Sequence, residues 1–273
     1  MSSSNAPYLT AVNCSVGLPL GQIDLDRATA LGVDRIELWW PWATPEPGAA
    51  AVDELVAELR RRELTLVALN FWGGDTAAGE RGVLHQEPLT PTHLDAHARL
   101  AELTGADRFN LLVGRGGRDL TSAQRDRTAA VAESVTSRGQ GTVLIEPSRS
   151  PGVGPADYPV QVIDDATALT DTIGGTGLLA DFWHLVETVR HDGIGEWIEE
   201  LGAAASDTAA SDTAASDTAA SDTAQTGNLP THVQIADDPG RGAPGTGELP
   251  LADWVAALHS AGYVGDVAGE WVW

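Results

Sequence analysis

The sequence predicts an α/β protein built as a single TIM-type (β/α)8 barrel. Eight short β-rich runs alternate along the chain with amphipathic, alanine-rich segments. Strands that alternate with helices form parallel sheets, and eight such units close into a barrel. The length of 273 residues is close to the roughly 250 residues typical of this fold, so one domain over residues 1–273 is expected.

The predicted strands follow one another at intervals that leave room for a helix between each pair. In chain order they cover residues 9–16, 35–40, 64–71, 108–113, 142–146, 177–182, 232–236 and 266–271. Residues 51–62 illustrate the helices: the segment closes on three arginines, which suit the negative end of a helix dipole. A doubly wound open sheet is the alternative. It is disfavoured because no Gly-x-Gly-x-x-Gly turn follows the first strand and because polar residues end nearly all the strands.

Two features depart from a regular barrel. The first is a 22-residue tract, residues 203–224, in which Ala-Ala-Ser-Asp-Thr repeats between the sixth helix and the seventh strand. Because it has no large apolar residue to bury, we expect a flexible insertion, although its alanine content permits transient helix. The second is that the sequence ends at Trp273, directly after the eighth strand, so the final helix is lacking. A neighbouring subunit in a homo-oligomer could cover that face.

The composition excludes several classes of protein. All 16 basic residues are arginines, against 39 acidic side chains, for a formal net charge of −23. Without lysine, Schiff-base aldolases, pyridoxal-phosphate enzymes and Walker-type phosphate loops are excluded. The negative charge repels polyphosphate backbones, so no nucleic-acid partner is expected. A single cysteine, no leader pattern and no apolar run of membrane-spanning length predict a cytoplasmic protein without a membrane partner.

Polar side chains end four of the predicted strands: Glu146, Asp181, Gln234 and Glu270. Glu146 and Asp181 are 35 residues apart, and Gln234 and Glu270 are 36 apart. The 53 residues between Asp181 and Gln234 include the 22-residue tract. One strand–helix unit therefore fits each interval. Because the carboxyl ends of barrel strands meet at one mouth, the four side chains are expected to share a cavity.

These four residues are candidate metal ligands. Three carboxylates in one cavity repel one another, and without a counterion their pKa values would rise. A divalent cation makes the cluster favourable, and an all-oxygen set suits Mg²⁺ or Mn²⁺ better than Zn²⁺. The alternative is that each residue is a buried polar group bonded to neighbouring backbone, but four at this spacing favour the metal. No organic cofactor is indicated.

Further candidates lie around the same mouth. His184 is a candidate donor to a substrate hydroxyl or carbonyl, with a core histidine as the alternative. Asn70 opens a glycine-rich loop that also contains Glu80 and Arg81, and this loop is interpreted as a lid. Arg81 and Arg241 are the best available cations for a substrate carboxylate, with a salt bridge to a nearby acid as the alternative.

Three other polar residues are given roles outside substrate binding. Glu37, on the second predicted strand, is expected to support the metal ligands rather than to bind metal itself. His93 and His97 lie four residues apart on the third predicted helix. No glutamate follows His93 as a zinc-protease motif requires, so the pair is interpreted as a solvated helix face.

Five sequence motifs surround the candidate residues. They are Gly-Asp75-Thr-Ala-Ala-Gly-Glu80-Arg81-Gly, Ile-Glu146-Pro, Asp181-Phe-Trp-His184, His232-Val-Gln234-Ile-Ala-Asp and the run from Pro-Gly-Arg241 to Pro-Gly-Thr-Gly-Glu248. Together they resemble the hydroxypyruvate isomerase family of the xylose-isomerase-like barrels, over nearly the whole chain. The resemblance implies a metal held by Glu146, Asp181, Gln234 and Glu270. Related ketose epimerases usually carry histidine where Gln234 stands, so the glutamine favours the hydroxypyruvate branch.

The hypothesis that follows is reversible isomerisation of hydroxypyruvate to tartronate semialdehyde through an enediolate, with Glu146 and Glu270 as acid and base. The chain departs from the family at the repeat tract, at the absent final helix and at Ser148-Arg-Ser, where leucine and asparagine are more usual. A longer sugar or sugar acid, undergoing epimerisation, isomerisation or dehydration, stays open as the substrate. So does a non-catalytic barrel scaffold. An endonuclease of the same superfamily would need a basic face and more histidines around several zinc ions.

Overall fold

The fold is a closed barrel of eight parallel strands. The computed structural model describes residues 6–76, 78–149, 158–212 and 229–273. The strands are β1 (Ala11–Asn13), β2 (Arg35–Leu38), β3 (Thr65–Asn70), β4 (Arg108–Asn110), β5 (Thr142–Ile145), β6 (Thr176–Asp181), β7 (His232–Ile235) and β8 (Val267–Gly269). Each pairs in parallel with its neighbour in chain order, and β8 pairs with β1 to close the ring. The predicted barrel is confirmed.

Helices cover the outside of the barrel between successive strands. They are α1 (Asp26–Leu31), α2 (Ala49–Arg61), α3 (Pro91–Thr104), α4 (Ser122–Ser137), α5 (Ile163–Thr170), α6 (Phe182–Asp212) and α7 (Leu251–Ser260). Residues 270–273, which follow β8, contain no helix. None of the helices in the described ranges is both long and apolar enough to span a bilayer.

The repeat tract begins inside a helix. The 31 residues of α6 run to Asp212, so residues 203–212 continue that helix. The rest of the tract, residues 213–224, lies outside the described residues, so the flexible insertion stays a prediction there.

Local sequence fixes the ends of the helices and, through them, the loops at the mouth of the barrel. At α4 the Thr121 hydroxyl accepts the Gln124 N–H at 3.2 Å, and the Gln124 side-chain oxygen accepts the Thr121 N–H at 3.0 Å. Such N-terminal caps contribute about 0.5–2 kcal/mol each. The Gln124 amide nitrogen also donates to the Val113 carbonyl at 3.1 Å. The cap of α4 therefore ties down the loop that follows β4.

His93 and His97 lie in a buried aromatic cluster, so the expectation of a solvated helix face was wrong. The two residues are 0% and 2% exposed. The ring of His97 stacks on Phe71, with centroids 3.9 Å apart and 11° between the planes. Trp40 packs against both histidines, and Phe109 packs edge-on against His97. The cluster lies beneath the loops that follow β2 and β3.

The periodicity of α3 explains this burial. The inward face of the helix includes His93, His97, Leu100 and Ala101, at positions i, i+4, i+7 and i+8, together with Ala98. His93 is held by the Pro45 carbonyl, 2.8 Å from its Nδ1, and accepts the Trp72 N–H at 3.3 Å. Burial lowers the pKa of His93 and lowers the pKa of His97 well below its usual value. A charge on either ring would lack solvation in this apolar cluster.

We expect the contribution of His93 and His97 to the free energy of unfolding to fall as the pH drops from about 6.5 to about 5. In this window the unfolded chain binds protons that the folded histidines exclude, so this contribution rises with pH. Each histidine contributes up to about 1.4 kcal/mol per pH unit. The variant His97→Phe keeps a ring against Phe71, so its free energy of unfolding in denaturant should rise relative to that of the wild type as the pH falls through this window. Identical slopes for the variant and the wild type would contradict a buried, neutral His97.

Candidate active site

A cavity of about 320 Å³ opens at the carboxyl-terminal mouth of the barrel. Its walls include the side chains of Trp39 and Trp72. It is also lined by predicted site residues: Asn70, Arg81, Glu146, His184, Arg241 and Glu270. A volume of this size suits a small ligand.

The four predicted ligands reach this mouth from four neighbouring strands. Glu146 directly follows β5, Asp181 is the last residue of β6, Gln234 lies within β7, and Glu270 directly follows β8. All four are buried, none more than 5% exposed. The parallel register therefore sets three carboxylates and one amide at one end of the barrel, inside protein rather than in water.

Glu146, Asp181 and His184 form a close group. One potential ligand atom from each lies within 4.8 Å of the others. The Nε2 atom of His184 is 3.6 Å from the Glu146 carboxylate and 3.7 Å from the Asp181 carboxylate. Burial, followed by the charge of Asp181, raises the pKa of Glu146 to about 7. Two buried carboxylates in one group fit a divalent cation.

Arg241 supplies positive charge to the same site. Its Nη2 donates to Asp181 at 2.8 Å and also to the Glu270 carboxylate, and its Nε donates to the Glu270 backbone carbonyl at 2.8 Å. Burial raises the pKa of Asp181 and raises the pKa of Glu270 well above its usual value, while the guanidinium opposes both shifts. Arg241 thus forms the salt bridges foreseen as its alternative role and also lines the cavity.

Gln234 presents an unpaired oxygen to the interior. Its Nε2 donates to Glu37 Oε2 at 2.7 Å, whereas its Oε1 is buried without a hydrogen-bond partner among the described residues. An unpaired buried polar atom costs about 1–3 kcal/mol. A cation beside the oxygen would offset that cost, so the donor set of this site fits an oxygen-preferring metal.

His184 lines the cavity as a neutral ring. Its Nδ1 accepts the backbone N–H of Arg149 at 3.1 Å. Burial, followed by the charge of Arg241, lowers the pKa of His184 well below its usual value. Its Nε2 faces the Glu146 and Asp181 carboxylates and also lies 3.1 Å from Nη1 of Arg241, a group that can only donate.

The loop after β3 separates its two predicted site residues. Arg81 lines the cavity, and its guanidinium donates to the Glu80 carbonyl at 2.9 Å. Burial lowers the pKa of Arg81. The Glu80 carboxylate instead binds within the loop, where it accepts the Asp75 N–H at 2.6 Å and the Gln86 amide at 3.1 Å. The structure therefore brings Arg81 to the cavity and uses Glu80 to shape the loop.

Several polar residues that hold the acids were missed from the sequence. Asn110, the last residue of β4, donates to Glu146 at 2.7 Å. Asn13, the last residue of β1, donates to Glu270 at 3.0 Å, and the Trp39 indole donates to the same oxygen at 2.7 Å. The predicted strands, residues 9–16 and 108–113, run past both asparagines, so the signal that located the ligands, a polar side chain at a strand end, did not mark them.

Asp237, also missed, folds the loop that carries Arg241. The residue is 1% exposed. Its Oδ1 accepts the N–H groups of Asp238 and Leu249, each at 3.0 Å, and its Oδ2 accepts the N–H of Gly245 at 2.8 Å. Three backbone hydrogen bonds to one carboxylate hold the loop against the end of β7.

The fold and this acidic cavity define the class of the protein. The sequence profile of the xylose isomerase-like TIM barrels matches residues 25–272. A putative hydroxypyruvate isomerase of Streptomyces coelicolor is 30% identical over 259 residues, which cover 89% of this chain and 82% of that protein. The hydroxypyruvate isomerase of Escherichia coli K12 is 24% identical over 260 residues, covering 90% and 85%. The crystal structure of a family 2 AP endonuclease from Brucella melitensis has a TM-score of 0.70 at 22% identity, covers 97% of this chain and 93% of that one, and shows the fold alone.

The chain belongs to the hydroxypyruvate isomerase family within the xylose isomerase-like TIM barrels. The resemblance seen in the sequence motifs is thereby confirmed. Membership of this family supports an isomerase or epimerase function on a small, sugar-like substrate.

The variant Asp237→Ala is expected to loosen the loop 238–249. Loss of the three backbone hydrogen bonds should lower the free energy of unfolding by about 1–3 kcal/mol. Hydrogen–deuterium exchange at Gly245 and Leu249 should accelerate more than exchange in the strands. The control is Asp253→Ala, which removes an exposed acid from α7. Unchanged exchange in the loop of the Asp237 variant would contradict this role.

Proposed function

We propose that this protein is a divalent-metal-dependent isomerase that interconverts hydroxypyruvate and tartronate semialdehyde. The observation that carries the proposal is that two buried glutamates, Glu146 and Glu270, line one cavity with arginines beside them. The names of the relatives from Streptomyces coelicolor and Escherichia coli support the substrate.

Four oxygen donors would hold the cation: Glu146, Asp181, Gln234 and Glu270. We infer Mg²⁺ or Mn²⁺ because both prefer carboxylate and amide oxygens. When bound, the cation supplies Lewis-acid polarisation of the two substrate oxygens. His184 is assigned to the substrate rather than to the cation, because the positively charged Nη1 of Arg241 already lies 3.1 Å from its Nε2.

The reaction moves one proton between adjacent carbons. One glutamate removes a proton from the hydroxymethyl carbon of hydroxypyruvate, which leaves an enediolate. The other glutamate returns a proton to the former carbonyl carbon, and a proton passes from the old hydroxyl oxygen to the new one. Substrate and product are isomers, so their atoms and charge balance, and the proton taken by the first glutamate must pass to the second before the next turnover. The neutral His184 ring would donate a hydrogen bond to the oxygen on which negative charge develops.

The remaining cavity residues would bind and enclose the substrate. The guanidinium of Arg81 suits a carboxylate, which it can bind with two hydrogen bonds. Arg241 has its Nε and Nη2 on Glu270 and Asp181, so it would offer the substrate only Nη1. Asn70 lines the same cavity and offers an amide to a substrate oxygen. Trp39 and Trp72 form an apolar wall that excludes water from the reacting carbons.

Replacement of either glutamate by glutamine should nearly abolish turnover. Glu146→Gln and Glu270→Gln keep the side-chain shape and remove the base, so we expect kcat to fall about 10²–10⁴-fold. The assay follows hydroxypyruvate by ¹H NMR in deuterated water with Mg²⁺ or Mn²⁺, because isomerisation converts the ketone to an aldehyde. The control is Glu102→Gln, on the exposed face of α3.

Two outcomes would contradict the proposal. Wild-type turnover by either glutamine variant would exclude that residue as acid or base. A wild-type protein that inverts a centre of a longer sugar, and leaves hydroxypyruvate untouched, would show epimerisation and a different substrate.

A further inference from the structure

Glu37 is a buried acid that lies beside the candidate metal ligands. It is on β2, and the residue is 1% exposed. Its Oε2 accepts from Gln234 Nε2 at 2.7 Å and lies 3.4 Å from Asn13 Nδ2, and its Oε1 contacts His232 Nε2. These three partners come from β1 and β7. Glu37 therefore joins three strands inside the barrel.

The contact with Gln234 fixes the orientation of an amide. A carboxylate accepts hydrogen bonds and donates none, so it binds the NH₂ end of a glutamine and repels the oxygen end. Gln234 Nε2 faces Glu37, and Oε1 must then take the other end of the amide plane. That oxygen is buried and has no hydrogen-bond partner in the described ranges of the chain.

We propose that Glu37 is a positioning residue that presents the amide oxygen of Gln234 to the divalent cation. This inference rests on the metal site of the proposed function. An amide can offer either its oxygen or its NH₂ group, and only the oxygen coordinates. Glu37 holds the NH₂ group and thereby excludes the orientation that cannot bind. Side chains that orient metal ligands typically change metal affinity by about 10–100-fold.

His232 supports Glu37 from the strand that carries Gln234. Residues two apart on a strand face the same side, so both side chains enter the barrel interior. His232 Nε2 contacts Oε1 of Glu37, while Gln234 Nε2 contacts Oε2. Contacts to both oxygens hold the carboxylate against rotation.

Asn13 extends the network to Glu270. Its Oδ1 accepts the N–H groups of Ser15 at 2.9 Å and Val16 at 3.0 Å, which directs Nδ2 inward. Nδ2 then lies 3.0 Å from Glu270 Oε1 and 3.4 Å from Glu37 Oε2. Glu37 is thus connected to two of the four proposed ligands.

The test is a calorimetric titration with Mn²⁺ alone, without substrate. In Glu37→Gln the new amide can face residue 234 with either end, so Gln234 is free to turn. We expect the Kd for Mn²⁺ to rise about 10–100-fold. The matched control is Asp266→Asn, which removes a salt bridge to Arg35. Arg35 begins β2, the strand that also carries Glu37. That variant should bind Mn²⁺ like the wild type, whatever its stability.

An exchange variant separates orientation from general loss of structure. In Glu37→Gln combined with Gln234→Glu, the amide at 37 donates and the carboxylate at 234 accepts and coordinates. Mn²⁺ affinity should return to within a few-fold of the wild type, a recovery that a merely structural role does not predict. Wild-type affinity for Mn²⁺ in Glu37→Gln would overturn the proposal. So would an exchange variant that folds but still binds Mn²⁺ weakly.

A second variant covers the case in which Glu37→Gln does not fold. Glu37→Asp keeps the charge but withdraws the acceptor by one methylene, so Mn²⁺ binding should weaken, and unchanged binding would overturn the proposal. The proposed function fails separately: a wild type that binds Mn²⁺ but does not convert hydroxypyruvate contradicts the reaction and leaves the role of Glu37 intact. A wild type that binds no Mn²⁺ contradicts both.

Discussion

The repulsion among three buried carboxylates is the constraint on which the arrangement of this barrel depends. Glu146, Asp181 and Glu270 meet at one mouth because a closed parallel sheet brings the ends of β5, β6 and β8 together. Burial raises the pKa of all three and weakens the screening that water would supply. Hydrogen-bond donors surround them as a result, with Arg241 on two of the acids and Asn110 on the third. A divalent cation is the partner that would complete this compensation.

Apart from histidine, arginine is the only basic residue in this chain. The site shows which contacts a guanidinium group can make. The Arg241 guanidinium bridges two carboxylates while its carbon lies 4.6 Å from the centroid of the Trp183 ring. Arg149 packs on the same ring at 3.6 Å and donates its backbone N–H to His184. A planar, weakly hydrated guanidinium can make both kinds of contact at once, which a lysine ammonium does less well.

The barrel was predictable because its strands and helices have distinct periods, and strand ends mark one mouth. That logic locates Glu146 and Glu270 from intervals in the sequence alone. It fails for His93 and His97, whose burial depends on loops that follow two other strands and close over α3. It also fails for Glu80, because a glycine-rich loop permits many conformations, and the one adopted turns the carboxylate to the Asp75 N–H and the Gln86 side-chain amide.

Anomalous diffraction from crystals grown with Mn²⁺ tests the central claim most directly. The account predicts one strong peak at the carboxyl-terminal mouth, about 2.0–2.3 Å from side-chain oxygens of four residues: Glu146, Asp181, Gln234 and Glu270. A peak bound elsewhere, or a peak at the mouth that lacks the Gln234 oxygen, would contradict it.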